Sequence, residues 1–257
     1  MNFSNSTTDK TESLKDKKTL ECQWESIDWI LVQKHGNRMQ TRIPKATVKG
    51  DKNRIKRLQC LLTHSFYAKA YSVKKVSSNK GKNTSGVDKK LWSSATSKMK
   101  AVLKLTDKHY RAKPLKRVFI DKKGTNKKRP LEIPTMYDRA MQTLYALALE
   151  PIAECTGDHI SFGFRKGRSA KDACEQIFCV VSRKCSPTWV LEGDIKGCFD
   201  NIHHECLQEN IPMDKSIMNQ FLKSGFIYEK ELFPTDTGSP QGGSYLKFIY
   251  KYDTRRS

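Results

Sequence analysis

The chain has 257 residues, a formal net charge of +21, 37% hydrophobic residues and a mean hydropathy of −0.67. That length holds one large domain or two smaller ones. No apolar run approaches the ~18–20 residues of a membrane span. The opening MNFSNSTTDKTESLKDKK has no apolar h-region, which excludes a secretory signal and points to bacterial cytoplasm or an organelle.

Charge is distributed unevenly. Residues 1–130 hold 33 Lys/Arg against 10 Asp/Glu, and residues 131–257 hold 15 against 17. A basic half of this kind suits a polyanion, most often nucleic acid, although a solvated lysine-rich surface is the plain alternative. Eight cysteines include no CxxC pair. Cys198, His203, His204 and Cys206 lie close in sequence, but their spacing fits no common structural zinc site, and reduced thiols are the simpler account.

In chain order, residues 1–20 read as a disordered polar tail. WESIDWILV is apolar at helical spacing, with Trp24, Ile27, Ile30 and Leu31 on one side. A basic stretch follows: Arg38, Arg42, Lys45, Lys49, Lys52, Arg54, Lys56 and Arg57 face only Asp51, and Pro44 is expected to break or kink a helix there. Residues 54–76 form one helical pattern through Ile55, Leu58, Leu62, Phe66, Ala70 and Val73. Its flanking cations suit a surface that tracks phosphates. Residues 77–88 read as loop, and 90–105 as helix. Residues 117–134 predict a hairpin with arms RVFID and RPLEIP, whose tip carries Lys122, Lys123, Lys127, Lys128 and Arg129. Thr135 should N-cap a helix running to about Glu154, with Asp138 completing the cap and Met141, Leu144, Tyr145 and Leu149 buried. In HISFGFRKGRSAKDA, Arg165, Lys166 and Arg168 surround Gly163 and Gly167, where backbone can approach a template closely. A helix should then run to about Arg183.

PTWVLEGDI, residues 187–195, reads as a buried strand ending in Asp194. A carboxylate in an apolar strand is expensive unless paired or metal-bound. Spacing alone leaves Asp194 open between a metal ligand and a strand-end acid. Asp200 reads as the N-cap of a short helix in NIHHECL.

At these residues the chain resembles the reverse transcriptases of group II introns. GDIKGCFDNIHH is similar to the first carboxylate motif of their palm. RLQCLLTHSFYAKAYSVKKVSSNKGKNTSGVD resembles their N-terminal extension, and RVFIDKKGTNKKRPLEIPTMYDRAMQTLYALALEPIAE resembles their fingers. SFGFRKGRSAKDA and GSPQGG resemble the two blocks that flank the palm strand. Several long motifs in the right order are a specific signal. The resemblance implies an α+β fold: helix-rich fingers with a β-hairpin, plus an incomplete antiparallel palm sheet. It divides the chain into a basic helical extension over 21–110, fingers and partial palm over 111–243, and an atypical tail over 244–257. It implies RNA-directed DNA polymerase chemistry with Mg²⁺ held by Asp194 and the Ile195 carbonyl. Lys122 and Arg129 would clamp the triphosphate, with Lys123 the alternative to Lys122 because the fingertip loop is one residue longer than the family's usual form. Phe199 would be the gate against a 2′-hydroxyl, and Gln241 would line the nucleotide pocket. Arg38, Arg42, Lys45, Lys49, Arg54, Lys56, Arg57, Arg165, Lys166 and Arg168 would contact RNA or template. The implied partners are intron RNA, an RNA template and a DNA primer; no membrane is implied, and a homodimer stays open.

The sequence also departs from the family. No YADD-type motif follows GSPQGG, and SYLKFIYKYDTRRS stands where a small apolar helix is expected. A truncated or frameshifted copy is the expectation. Asp194 without further oxygen ligands does not make an Mg²⁺ site. Three readings follow: polymerase of an intron ribonucleoprotein, non-catalytic RNA-binding fragment, or decayed remnant.

Overall fold

The computed structural model describes residues 6–121, 124, 128–163, 165–195, 197 and 200–239, with side chains from residue 16 onward. Helix α1 (Ser6–Glu25) takes in most of the segment expected as a tail. Its Lys17 carbonyl accepts from Thr96 Oγ1 at 3.4 Å, which lays it against α5 (Ala95–Lys104).

The single helix expected across WESIDWILV is two. Asp28 Oδ1 accepts from the amides of Ile30 and Leu31 at 2.8 and 3.0 Å, and so starts α2 (Trp29–Val48). Trp24 and Trp29 meet edge to face across the break, with centroids 5.1 Å apart. Ile30 is consequently 80% exposed. Pro44 does not break α2, which runs through it. The missing amide bond is tolerated one turn from the helix end, because Ile43 and Ala46 on either side are fully buried.

The pattern over 54–76 also divides, into α3 (Lys52–His64) and α4 (Phe66–Ser78). Ser65 between them is extended, with ψ 131°. Ile55, Leu58, Leu62, Ala70 and Val73 are buried as expected, while Phe66 at the break is 41% exposed. The loop over 79–88 is pinned by Arg139, which donates to the carbonyls of Gly81, Thr84 and Pro134 at 2.9, 2.6 and 3.0 Å. Burial holds that guanidinium below its usual range.

α6 (Met136–Thr156) is the centre of the core. Thr135 caps it, accepting from the Asp138 amide at 3.2 Å. Met141, Leu144, Tyr145 and Leu149 are buried as the periodicity predicts. Each such side chain contributes about 1.5–3 kcal/mol on burial. Asp138 is buried too. It accepts from Tyr110 Oη at 2.7 Å and from Thr135 Oγ1 at 2.5 Å. Burial raises its pKa, and the two hydroxyl donors oppose that rise.

The hairpin forms as β1 (Leu115–Asp121) and β2 (Lys128–Ile133), with Arg117 opposite Glu132 and Asp121 opposite Lys128. The sheet differs from the antiparallel expectation. β3 (Phe226–Tyr228) adds parallel to β1, and β4 (Glu231–Phe233) closes antiparallel on β3, giving a mixed order β2-β1-β3-β4. The architecture is α+β as expected. α8 (His204–Asn210) and α9 (Lys215–Leu222) complete it. α9 docks through Phe221, which is 2% exposed and edge-on to Tyr110 and Tyr145.

The predicted buried strand at 187–195 is absent. Trp189, Val190 and Leu191 are 91, 81 and 96% exposed. A strand is held by its neighbours' backbone groups, and no described residue pairs with this segment. α7 (Ala170–Val181) just before it buries none of its residues, and Phe178 is 68% exposed.

Candidate nucleic-acid interface

α2 gathers its cations by helical geometry. Lys34, Arg38, Arg42, Lys45 and Lys49 fall within about a quarter of the helix circumference, along roughly 22 Å of its length. All five are exposed. On α3, Lys52, Arg54, Lys56 and Arg57 are exposed as well. None of these nine cations forms an ion pair with a described carboxylate. The buried side of α2, through Val32, Met39, Ile43 and Ala46, anchors the stripe to the core. Lys34 escaped the sequence reading because it sits beside apolar WESIDWILV; its helical register with Arg38 was the available signal.

The cations of the 157–169 loop behave differently. Arg165 is 9% exposed. It pairs with Glu154 at 2.8 Å and donates to the carbonyls of Asp158 and Ser161 at 2.6 and 3.2 Å. Its bonds close the loop onto the end of α6, so the expected template contact is a loop clasp. Lys166 pairs with Glu150 at 2.5 Å, yet its side chain stays 63% exposed and lies beside α2. Arg168 donates to the His159 carbonyl at 2.6 Å and sits over the Phe162 ring.

At the fingertip, Lys128 and Arg129 are exposed on β2, opposite Asp121 and Ile120. Arg117, lower on the hairpin, is paired with Glu132 and stacked 3.2 Å above the Phe226 ring. Lys122, Lys123, Phe199 and Gln241 lie outside the described residues.

Asp194 is exposed in the unpaired 187–195 segment, and Ile195 is 65% exposed. Among the described residues no group of three or more His, Cys, Asp or Glu is placed to hold a metal ion. Mg²⁺ takes several well-placed oxygens, to which the Asp194 carboxylate and the Ile195 carbonyl would contribute only a part. Asp200 is not a helix cap, since α8 starts four residues later behind His203. Its amide instead closes a turn onto the Gly197 carbonyl at 3.0 Å. His204 donates from Nε2 to the Gly238 carbonyl at 2.7 Å, while Cys206 Sγ accepts from Asn210 at 3.4 Å. No described helix is long and apolar enough to cross a membrane.

Residues 24–105 match the family described as the N-terminal domain of reverse transcriptase, and residues 120–245 match reverse transcriptase (RNA-dependent DNA polymerase). The chain is 36% identical over 192 residues to the group II intron-encoded protein LtrA of Lactococcus lactis subsp. cremoris, covering 71% of this chain and 31% of that one. It is 32% identical over 204 residues to protein YkfC of Escherichia coli strain K12, covering 74% and 53%. An uncharacterized 91 kDa protein in the cob intron of Schizosaccharomyces pombe is 32% identical over 190 residues, covering 71% and 23%. The chain thus spans about a third to a half of the length of the first two relatives.

Proposed function

Because the chain belongs to the reverse transcriptase family, through its N-terminal domain at 24–105 and its polymerase domain at 120–245, we propose that it grips RNA with α2 and α3, as the N-terminal and fingers part of a group II intron-type reverse transcriptase. The family makes nucleic acid the partner class. One observation carries the reading: a stripe of exposed cations without carboxylate partners among the described residues, built on a buried helix face. Cations held this way displace the counterions condensed on a phosphate backbone when they neutralise its charges. Lys166 and Arg168 flank the same binding surface in this proposal. The test is anisotropy titration of a structured RNA across 50–300 mM salt. Affinity is expected to fall steeply and linearly on a log–log plot, and a flat response sinks the reading.

Nucleotidyl transfer is a second proposal, favoured by the polymerase match over the segment containing Asp194. There Asp194 and Ile195 would serve the metal, Lys122 and Arg129 would clamp the triphosphate, Phe199 would gate against the 2′-hydroxyl and Gln241 would line the nucleotide pocket. Primer extension on poly(rA)/oligo(dT) with Mg²⁺ decides it. Incorporation that vanishes in Asp194→Ala supports it, and no incorporation by the unaltered chain confines the chain to RNA binding.

A further inference from the structure

On the other flank of α2 from the cationic stripe lies a cavity of about 180 Å³ between α2 and α4. Its α2 wall is Gln33, Gly36, Asn37 and Gln40, a set spaced at helical intervals. Its α4 wall is Tyr67 and Tyr71, four residues apart on one face. Lys166 stands at its rim, paired with Glu150. Gln40 spends its amide nitrogen on the Leu147 carbonyl at 2.9 Å. Tyr67 is braced from behind by His35, whose ring centroid is 4.7 Å away and whose Nδ1 is buried without a partner. A Cβ built on Gly36 meets nothing within 4 Å.

We propose that this cavity receives one unpaired nucleobase of an RNA chain that crosses the exposed face of α2 from the cationic stripe. The chemistry is specific in three ways. Phenol rings offer faces on which a base stacks. The amide groups of Gln33 and Asn37, without a side-chain hydrogen bond to any described residue, offer the donor and acceptor pairs that read a base edge. The volume is well below the ~300 Å³ at which drug-sized pockets begin, so one planar group enters and a whole nucleotide does not. Gly36 has a role that its place inside a helix otherwise argues against: lacking a side chain, it leaves the floor of the cavity open.

The inference rests on the RNA-binding reading, and the experiment separates the two. The full chain, Gly36→Leu and Tyr71→Leu are titrated with a 12-nucleotide single-stranded RNA and with a matched fully paired RNA. Gly36→Leu replaces a poor helix former with a good one, so folding is maintained, as a thermal melt checks. Single-strand affinity is expected to fall roughly 5- to 100-fold in both variants, the range of one lost base stack. Duplex affinity and both salt slopes should stay as they were. Equal binding of the single strand by Gly36→Leu and the unaltered chain overturns the cavity while leaving the stripe intact. Equal losses on both RNAs overturn it as well. If the unaltered chain binds neither RNA, both readings fall.

Discussion

Replacing Arg38, Arg42, Arg54 and Arg57 together by glutamine is expected to weaken RNA binding roughly 100-fold near physiological salt and to flatten the log–log salt slope by about 3. Each phosphate neutralised contributes about 0.7 to the slope for a single strand and 0.9 for a duplex, and four sites are removed. The four side chains are exposed and have no carboxylate partner among the described residues, so the fold described does not need their charge. Glutamine keeps helix propensity and the aliphatic stem. Neutralising Lys215, Lys223 and Lys230, on and after α9, should leave the slope unchanged if the interface lies on α2 and α3. Anisotropy titrations at several salt concentrations measure both sets. A slope that drops equally in the two sets would mean diffuse attraction rather than a surface.

Phe221→Ala is expected to cost 3–5 kcal/mol, near the top of the range for core truncations. The ring is 2% exposed and sits edge-on to Tyr110 and Tyr145. Those two tyrosines already have other duties. Tyr110 donates to buried Asp138, and Tyr145 donates to Asp107 at 3.2 Å. Neither is free to swing into the hole, so the cavity stays. Urea unfolding followed by circular dichroism should show a midpoint lower by roughly 2 M, at a slope of about 2 kcal/mol per molar. A loss below about 1 kcal/mol would show that α9 does not pack where the structure puts it.

What sequence conveyed, and what it did not, follows from the range of the forces involved. The hairpin and the Thr135 cap were legible because turn residues and a cap act within a few positions. Buried Met141, Leu144, Tyr145 and Leu149 were legible because a helix repeats its face. The break at Ser65 was not: α3 and α4 both point apolar faces at α6, so the periodicity carries across the joint. Arg165 looked like a ligand cation because Glu154, eleven residues earlier, gives no local sign that it will accept the pair. β3 and β4 escaped because they are three residues each and turn through Glu229 and Lys230, at φ 51° and 73°, without the glycine or asparagine that usually marks such a turn. The segment 187–195 was misread for the opposite reason: its apolar run is unmistakable, yet a run does not name its neighbour. The cavity left traces in sequence only as amides and tyrosines at helical spacing, on two elements whose meeting is a tertiary fact.

That unpaired segment gives the molecule a built-in optical gauge. Of the four tryptophans, Trp24, Trp29 and Trp92 are partly shielded by the core, and Trp189 stands 91% in water. The red edge of the emission therefore belongs to one indole, five residues before Asp194. Whatever comes to cover that stretch, be it strand, ligand or second chain, shifts this one band toward the blue and leaves the other three as the internal reference.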